Sequence, residues 1–256
     1  MSGMFAGEFA VVTGTASNIG RELARALAAE GAEVLITDIN EGGLAATLSD
    51  IKAAGGNCSS VAADLSDTEG WKTLASAALG RVPDMFVHSA CPQRHEVDLA
   101  AAVSEETFDA MLNTNLRSGF LLARDYADAM KGNGKKGRIL FITSLHAGTP
   151  RNLPHYSASK AGMTMVMKEL ARQFGPAGIR VNAIAPGAIP GGGFATSEES
   201  FQPKRKIPLG RFGSAEDMTG PALALLSDRF SGYVTGETLV VDGGLQLFNW
   251  IDAPNT

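Results

Sequence analysis

The sequence predicts a single-domain α/β fold in which helices cover both faces of a parallel sheet. Short apolar segments alternate with longer segments of helical periodicity along the whole chain. The apolar segments are nearly continuous in hydrophobic residues, which is typical of parallel strands buried on both faces. No change of composition marks a domain boundary, and 256 residues are enough to bury a substantial core.

Strands and helices are predicted in strict alternation. The strands are expected at 9–13, 33–38, 60–64, 84–88, 138–144, 180–185 and 238–241. The helices are expected at 19–30, 41–54, 67–79, 104–130, 155–174 and 214–227. A segment at 187–214, rich in glycine and proline at its start, follows the sixth strand. We expect it to be a substrate lid, with an ordinary surface loop as the alternative.

Composition and charge argue against several classes of function. A net charge of −5 is unfavourable for a general nucleic-acid binder. The two cysteines, Cys58 and Cys91, predict no disulfide framework and fit a reducing compartment. The N-terminus lacks a signal-peptide pattern, and no apolar segment approaches the ~18 residues of a membrane span. We therefore expect a cytoplasmic protein with no membrane or nucleic-acid partner, and we assign no metal ligands.

A glycine-containing turn follows the first strand and opens the first helix. It runs from residue 13 to residue 20, with Gly14 and Gly20 near its ends and Asn18 where a middle glycine is usual. Such a turn allows a pyrophosphate to approach the backbone, and the helix N-terminus supplies amide donors. Because asparagine tolerates the left-handed conformation better than most residues, we expect the turn to survive at Asn18.

A carboxylate ends the second strand. Asp38 is expected to accept hydrogen bonds from the adenosine ribose hydroxyls and to repel a 2′-phosphate. Ser17 and Ile39 flank the same region and add no positive charge. The sequence therefore favours NAD over NADP as the cofactor.

Tyr156 and Lys160 are four residues apart on a predicted helix, so their side chains share one face about one turn apart. Tyrosine is a poor base at neutral pH because its ordinary pKa is near ~10. A nearby ammonium favours the phenolate, so the pair can transfer protons. Since this spacing alone is common on helices, the interpretation depends on Ser144 upstream and on the glycine turn.

Taken in order, these features resemble the classical short-chain dehydrogenase/reductase (SDR) family over nearly the whole chain. The resemblance implies a Rossmann-type, doubly wound, seven-stranded parallel sheet with helices on both faces. It implies a catalytic tetrad of Asn115, Ser144, Tyr156 and Lys160. The residues that it places at the cofactor are Gly14, Ser17, Asn18, Ile19, Gly20, Asp38, Ile39, Asp64, Leu65, Ser89, Ala90, Cys91, Tyr156, Lys160, Pro186, Gly187 and Ile189.

The chain departs from the family pattern in two places besides Asn18. His88-Ser89-Ala90-Cys91 stands where the family usually has Asn-Asn-Ala-Gly. We expect Cys91 to be a small buried residue, with a reactive thiol as the alternative. Ala188-Ile189-Pro190 stands where the family often has a threonine that holds the nicotinamide carboxamide, so this contact is expected to fall to the backbone of Ile189.

The resemblance implies an oxidoreductase that interconverts a secondary alcohol and a ketone by hydride transfer. Tyr156 would act as the acid/base, and Lys160 would lower its pKa and bind the nicotinamide ribose. Ser144 would donate to the substrate oxygen, and Asn115 would anchor a water that relays protons to Lys160. The resemblance also implies a homotetramer or homodimer formed through helices such as those near 104–130 and 155–174.

Two other functions stay open. A 3-oxoacyl thioester reductase would share the same landmarks, but it would use NADPH and would carry a basic residue at position 17 or 39. A non-catalytic NAD-sensing member would tend to lose Ser144, Tyr156 or Lys160, and all three are present.

Histidines and arginines between the fourth strand and Tyr156 suggest the kind of substrate. By analogy with the family, the loops in this region border the substrate pocket. A cluster of donors on an acidic protein suggests a polar or anionic substrate, such as a sugar, a sugar acid or a hydroxy acid. The candidate substrate residues are Arg94, His146 and Arg151. The alternative is that these side chains are solvated or structural.

Overall fold

The computed structural model describes residues 3–93, 99–191, 194 and 196–248. Seven parallel strands form one sheet in the order β3-β2-β1-β4-β5-β6-β7. The strands are β1 (Phe9–Thr13), β2 (Glu33–Asp38), β3 (Asn57–Ala62), β4 (Met85–His88), β5 (Gly137–Ile142), β6 (Ile179–Pro186) and β7 (Thr238–Val241). The doubly wound sheet is confirmed, and β1, β2 and β7 have the predicted bounds.

Helices pack on both faces of this sheet. They are α1 (Asn18–Ala29), α2 (Glu41–Ala53), α3 (Thr68–Leu79), α4 (Glu105–Leu112), α5 (Ser118–Gly132), α6 (Pro154–Phe174), α7 (Glu198–Phe201), α8 (Pro203–Lys206), α9 (Thr219–Leu226) and α10 (Asp228–Ser231). Val11 packs in the core shared with α3, α5 and α6, and its neighbour Val12 packs in the core shared with α1, α2 and α9. Alternate side chains of each central strand therefore serve opposite faces. Among the described helices, none is both long and apolar enough to cross a membrane.

The strand order reverses between β1 and β4. The chain builds the sheet outward from β1 to β3 and then crosses to the other side of β1. In open α/β sheets, ligands bind at such a switch point, outside the carboxyl ends of the strands. Here those ends are the turn after Thr13 and the segment after His88.

Two elements differ from the sequence prediction in ways that have a physical cause. The third strand begins at Asn57 and not at residue 60, because β3 is an edge strand whose outward side chains, such as Ser59, are polar. The helix predicted at 104–130 contains a π-turn at Asn113–Arg117, between α4 and α5. A wider turn of this kind changes the direction of the carbonyl groups and is frequent at functional sites.

The segment 187–214 contains two short helices, α7 and α8, that the sequence analysis did not predict. Three aromatic rings meet within it, with Phe201 and Phe212 centroids 5.0 Å apart and Phe194 and Phe201 centroids 6.1 Å apart. They pack around Ile207 and the C-terminal Leu245. This apolar contact joins the segment to the last turn that the structure describes.

Candidate active site

A cleft of about 880 Å³ opens at the carboxyl edge of the sheet, along the switch point. Every residue that the sequence analysis placed at the cofactor lines this cleft, as do Ser144, Tyr156 and Lys160. They come from the ends of six different strands and from α6, and the parallel sheet brings these ends to one edge. Distant parts of the sequence therefore meet in one cavity.

The turn after β1 is shaped by close backbone contacts. Gly14 has a φ of 72°, and a Cβ there would lie 2.7 Å from the backbone of Ala90. A Cβ on Gly20 would lie 2.1 Å from the carbonyl oxygen of Gly14. Asn18 has a φ of 50°, which is the left-handed conformation expected for it. Because its glycines carry no side chains, the turn leaves the backbone at the start of α1 accessible. This arrangement fits a dinucleotide pyrophosphate.

The Asp38 carboxylate is held in a fixed position at the end of β2. Its two oxygens accept hydrogen bonds from the backbone N–H groups of Ala16 and Asn40, each at 2.9 Å. Ile39 is exposed beside it. The described residues that line the cleft include one lysine, Lys160, and one arginine, Arg151. Neither lies in the segments around Asp38. The charge at this end is therefore negative.

Tyr156 and Lys160 lie side by side on α6, and both are buried. The Nζ of Lys160 is 5.6 Å from the centroid of the Tyr156 ring and donates a hydrogen bond to the carbonyl oxygen of Ile142 at 2.8 Å. That bond anchors the ammonium to the end of β5 and directs it along the cleft beside the phenol. The arrangement can support proton transfer at the Tyr156 hydroxyl.

Ser144 caps a short 3₁₀ turn after β5. Its Oγ accepts the backbone N–H of His146 at 3.2 Å, and a hydroxyl engaged as an acceptor still has its own hydrogen to donate. The His146 ring packs edge-on against Tyr156, with centroids 5.2 Å apart. The turn therefore places a hydroxyl donor and an imidazole beside the phenol.

Asn115 does not line the cleft but lies behind it, fully buried in the π-turn. Its Nδ2 donates to Ser159 Oγ at 2.9 Å, and Ser159 Oγ donates to the carbonyl oxygen of Tyr156 at 2.8 Å. Its Oδ1 is buried and has no hydrogen-bond partner among the described residues. Ser159 was not assigned a role from the sequence, although it directly precedes Lys160.

Two of the three candidate substrate residues line the cleft. His146 and Arg151 line the cleft, whereas Arg94 lies outside the described residues. The cleft also has an apolar part that was not predicted from the sequence, formed by Phe194, Phe201 and Leu245. Aromatic residues spaced through the segment 187–214 were the available signal for it.

Cys91 and His88 lie on opposite sides of the cleft surface, one exposed and the other buried. The expectation that Cys91 is buried is wrong: the residue is exposed and lines the cleft. His88, by contrast, is fully buried behind the cleft. Burial lowers the pKa of His88 to about 4, and the positive charge of Lys160 acts in the same direction. His88 is therefore neutral at pH 7.

Comparison with known proteins is consistent across sequence and structure. Residues 14–246 match the family model described as enoyl-(acyl carrier protein) reductase. The chain is 34% identical to the L-rhamnose 1-dehydrogenase (NAD(P)(+)) of Azotobacter vinelandii, covering 92% of this chain and 95% of that protein. It is 35% identical to the 3-oxoacyl-[acyl-carrier-protein] reductase of Rickettsia bellii, covering 93% and 97%.

A similar solved structure is that of a Beutenbergia cavernae protein, provisionally assigned as an NAD(P)-dependent gluconate 5-dehydrogenase, with NADP bound at low occupancy. It superimposes with a TM-score of 0.88 at 35% identity, covering 94% of this chain and 98% of that one.

Proposed function

Because the chain belongs to the classical short-chain dehydrogenase/reductase family, whose members are NAD(P)-dependent oxidoreductases of CH–OH groups, we propose that it interconverts a secondary alcohol and a ketone with Tyr156 as the acid/base. The observation that carries the proposal is the placement of Tyr156, Lys160 and Ser144 together on one cleft. A bound nicotinamide cofactor supplies the acceptor or donor of the hydride.

The chain's own residues handle the proton and the charge on the substrate oxygen. In the oxidation direction, Tyr156 takes the proton of the substrate hydroxyl, and the Lys160 ammonium beside its ring stabilises the phenolate. Ser144 donates to the same substrate oxygen and stabilises the charge that develops there. Asn115 lies behind the cleft, and its buried Oδ1 accepts a hydrogen bond from a water in a proton relay to Lys160.

We propose NAD as the preferred cofactor. The support is Asp38, whose carboxylate is fixed by two backbone amides where an adenosine ribose would lie. Ser17 and Ile39 provide no cation for a 2′-phosphate. The solved relative contains NADP, so direct comparison of NADH and NADPH affinity is the appropriate test.

We propose a polar or anionic substrate, such as a sugar, a sugar acid or a hydroxy acid. Arg151 and His146 line the cleft on the Tyr156 side, and an arginine there can pair with a carboxylate. Two relatives are named for a sugar and for gluconate, which supports the same class. Phe194 and Phe201, on the proposed lid 187–214, would cover the apolar face of such a ligand.

The test is a cofactor-coupled screen of sugars, sugar acids, hydroxy acids and simple alcohols, with Tyr156→Phe as the blank. For an acidic substrate, Arg151→Gln should raise KM about tenfold or more, because a charge-assisted contact is lost. Arg81→Gln is the matched control, since Arg81 pairs with Glu33 at the opposite end of the sheet. An unchanged KM in Arg151→Gln would remove the anionic substrate from the proposal.

A 3-oxoacyl thioester reductase that uses NADPH is the second candidate. The Rickettsia bellii relative, named for that activity, favours it. The negative charge of Asp38 at the adenosine end of the cleft argues against this candidate, because it opposes the 2′-phosphate of NADPH. A 3-oxoacyl thioester in the same screen, with NADPH and NADH in parallel, separates the two candidates.

We also propose that the protein assembles as a homotetramer or homodimer through α4–α5 and α6. Phe108, Phe120 and Met165 are large apolar side chains exposed on these helices. Light scattering that finds a monomer would contradict this. The two free cysteines are the basis for proposing a cytoplasmic location.

A further inference from the structure

His88, the last residue of β4, connects two elements that border the site. Its Nδ1 is 3.0 Å from Thr13 Oγ1, at the start of the turn after β1. Its Nε2 is 3.0 Å from the carbonyl oxygen of Asn115 and 3.2 Å from that of Thr114, both in the π-turn. The buried ring therefore bridges the proposed cofactor turn and the backbone of a proposed tetrad residue.

The hydrogen positions in this bridge follow from its partners. Thr13 Oγ1 accepts the backbone N–H groups of Ser89 and Ala90, each at 3.1 Å. A hydroxyl has two lone pairs and one hydrogen, so with both lone pairs engaged Thr13 donates to Nδ1 of His88. Nε2 then carries the ring hydrogen and donates to the carbonyl oxygens. The network assigns the neutral Nε2–H tautomer.

The surroundings of the ring are suited to this neutral form. A protonated ring would turn an Nδ1–H toward the hydroxyl oxygen of Thr13, whose lone pairs are already engaged. It would also place a second cation near Lys160 in a fully buried position. His88 is therefore a fixed hydrogen-bond bridge and not a proton carrier.

The chain makes room for this ring at Gly119, near the start of α5. A Cβ at residue 119 would lie 2.7 Å from Cδ2 of His88 and 2.9 Å from Nε2. Any larger residue would displace either the ring or the helix that follows the π-turn. The imidazole and the glycine thus form a matched pair.

We propose that His88 is a positioning residue: its Nε2–H fixes the Asn115 carbonyl, and so holds the Asn115 side chain where it reaches Ser159. The connection continues from Ser159 Oγ to the Tyr156 backbone. The proposal rests on the proposed function, in which Asn115 and Tyr156 belong to the reacting site. It adds that the geometry of the site depends on a residue that never touches the cleft.

Two amide variants separate the two halves of the bridge. In His88→Asn, the side-chain oxygen can take the place of Nδ1 and keep Thr13, but the side chain is too short to reach Asn115. In His88→Gln, the longer amide can place its N–H at the position of Nε2 and keep the Asn115 carbonyl, while Thr13 loses its acceptor. His88→Asn removes the shared hydrogen bond to the two carbonyl oxygens and His88→Gln removes the bond from Thr13, so both variants are expected to lose stability in this buried network.

The measurements are kcat, cofactor Kd and Tm for both variants, together with ¹⁵N-histidine NMR of the wild-type protein. We expect kcat to fall about tenfold or more in His88→Asn with cofactor Kd nearly unchanged, because misplacement of a supporting group affects turnover. His88→Gln should keep most of the wild-type kcat. The NMR spectrum should show an Nε2–H ring that does not titrate near the ordinary pKa, and whose signal is absent in His88→Gln.

Wild-type kcat in His88→Asn, equal kcat losses in both variants, or an Nδ1–H ring in the spectrum would overturn the proposal. The NMR result on the wild-type protein decides the hydrogen-bond role even where a variant does not fold. Tyr156→Phe, assayed in parallel, tests the proposed function by itself: full turnover there would defeat that function and leave the tautomer result standing.

Discussion

The side-chain amide of Asn115 donates a hydrogen bond to Ser159 Oγ at 2.9 Å, from the π-turn to the second turn of α6. Ser159 Oγ donates in turn to the backbone carbonyl of Tyr156 at 2.8 Å. Because Ser159 directly precedes Lys160, these two bonds tie Asn115 to the one helical turn that carries both Tyr156 and Lys160. Three of the four proposed catalytic residues, Asn115, Tyr156 and Lys160, are therefore mechanically connected through a serine that lies outside the tetrad.

Replacing this serine should uncouple Asn115 from α6. Ser159→Ala leaves the Asn115 amide without its oxygen acceptor in a fully buried position, at a cost of ~1–3 kcal/mol. We expect kcat to fall about tenfold, with little change in cofactor affinity. Ser231→Ala, at a buried serine in α10, is the matched control. Equal kcat in the two variants would show that the Ser159 bond has no role in turnover.

Close approach at the glycine turn predicts a sharp contrast between two alanine variants. Gly20→Ala places a Cβ 2.1 Å from the Gly14 carbonyl oxygen, so the turn must move and cofactor binding should be lost. Gly132→Ala meets nothing within 4 Å at the end of α5 and should bind cofactor normally. Calorimetric titration with NADH measures both, and normal binding by Gly20→Ala would contradict the assigned cofactor turn.

Removing the charge of Asp38 should change cofactor preference. Asp38→Asn removes the charge that opposes a 2′-phosphate and keeps one oxygen that can accept one of the two backbone N–H groups, so the ratio of NADPH to NADH affinity should rise about tenfold, or about 1.4 kcal/mol. Asp67→Asn, at the N-cap of α3, is the control because asparagine also caps helices. A wild-type protein that already binds NADPH more tightly than NADH would refute the proposed NAD preference.

His88 predicts a specific loss of stability in acid. The folded-state pKa lies near 4, below the ordinary value of 6.5, so the unfolded chain binds the proton more readily between these values. Stability therefore falls as pH is lowered from about 6.5 to about 4, by on the order of 3 kcal/mol from this residue. Unfolding free energies across this range should decline less steeply in His88→Gln than in wild type. Parallel curves would show that His88 is not buried and neutral.

The parts of the fold that were predicted well are those governed by local patterns. β1, β2 and β7 have the predicted bounds because polar or glycine residues stand at or beside both ends of each compact run. The predicted bounds of β3 were shifted relative to the observed strand, because an edge strand can carry polar side chains on its outward face. The π-turn at 113–117 was not predictable from periodicity, since its carbonyl groups are satisfied by His88 and by the Ser118 hydroxyl, which are tertiary and side-chain contacts.

The residues of the candidate site also divide into those that a local sequence pattern predicts and those that tertiary contacts position. Residues at strand ends could be assigned to one cleft, because a parallel sheet gathers those ends on one edge. The orientation of Cys91 could not be predicted, since a position after a strand does not show which way the side chain faces. The wall of Phe194, Phe201 and Leu245 depends on how the segment 187–214 folds back on the C-terminal turn. The aromatic residues of the segment were a signal of an apolar surface, but the long-range contact with Leu245 leaves no local pattern in the sequence.

The most direct test of the account is Tyr156→Phe, assayed for turnover with a substrate from the screen and for cofactor affinity. The variant removes one oxygen atom from a buried ring and leaves the Lys160 ammonium in place. The account predicts that kcat falls by ~10²–10⁴-fold, the usual contribution of a general acid/base, while cofactor Kd stays near the wild-type value. Turnover close to wild type would contradict the central claim that Tyr156 transfers the proton.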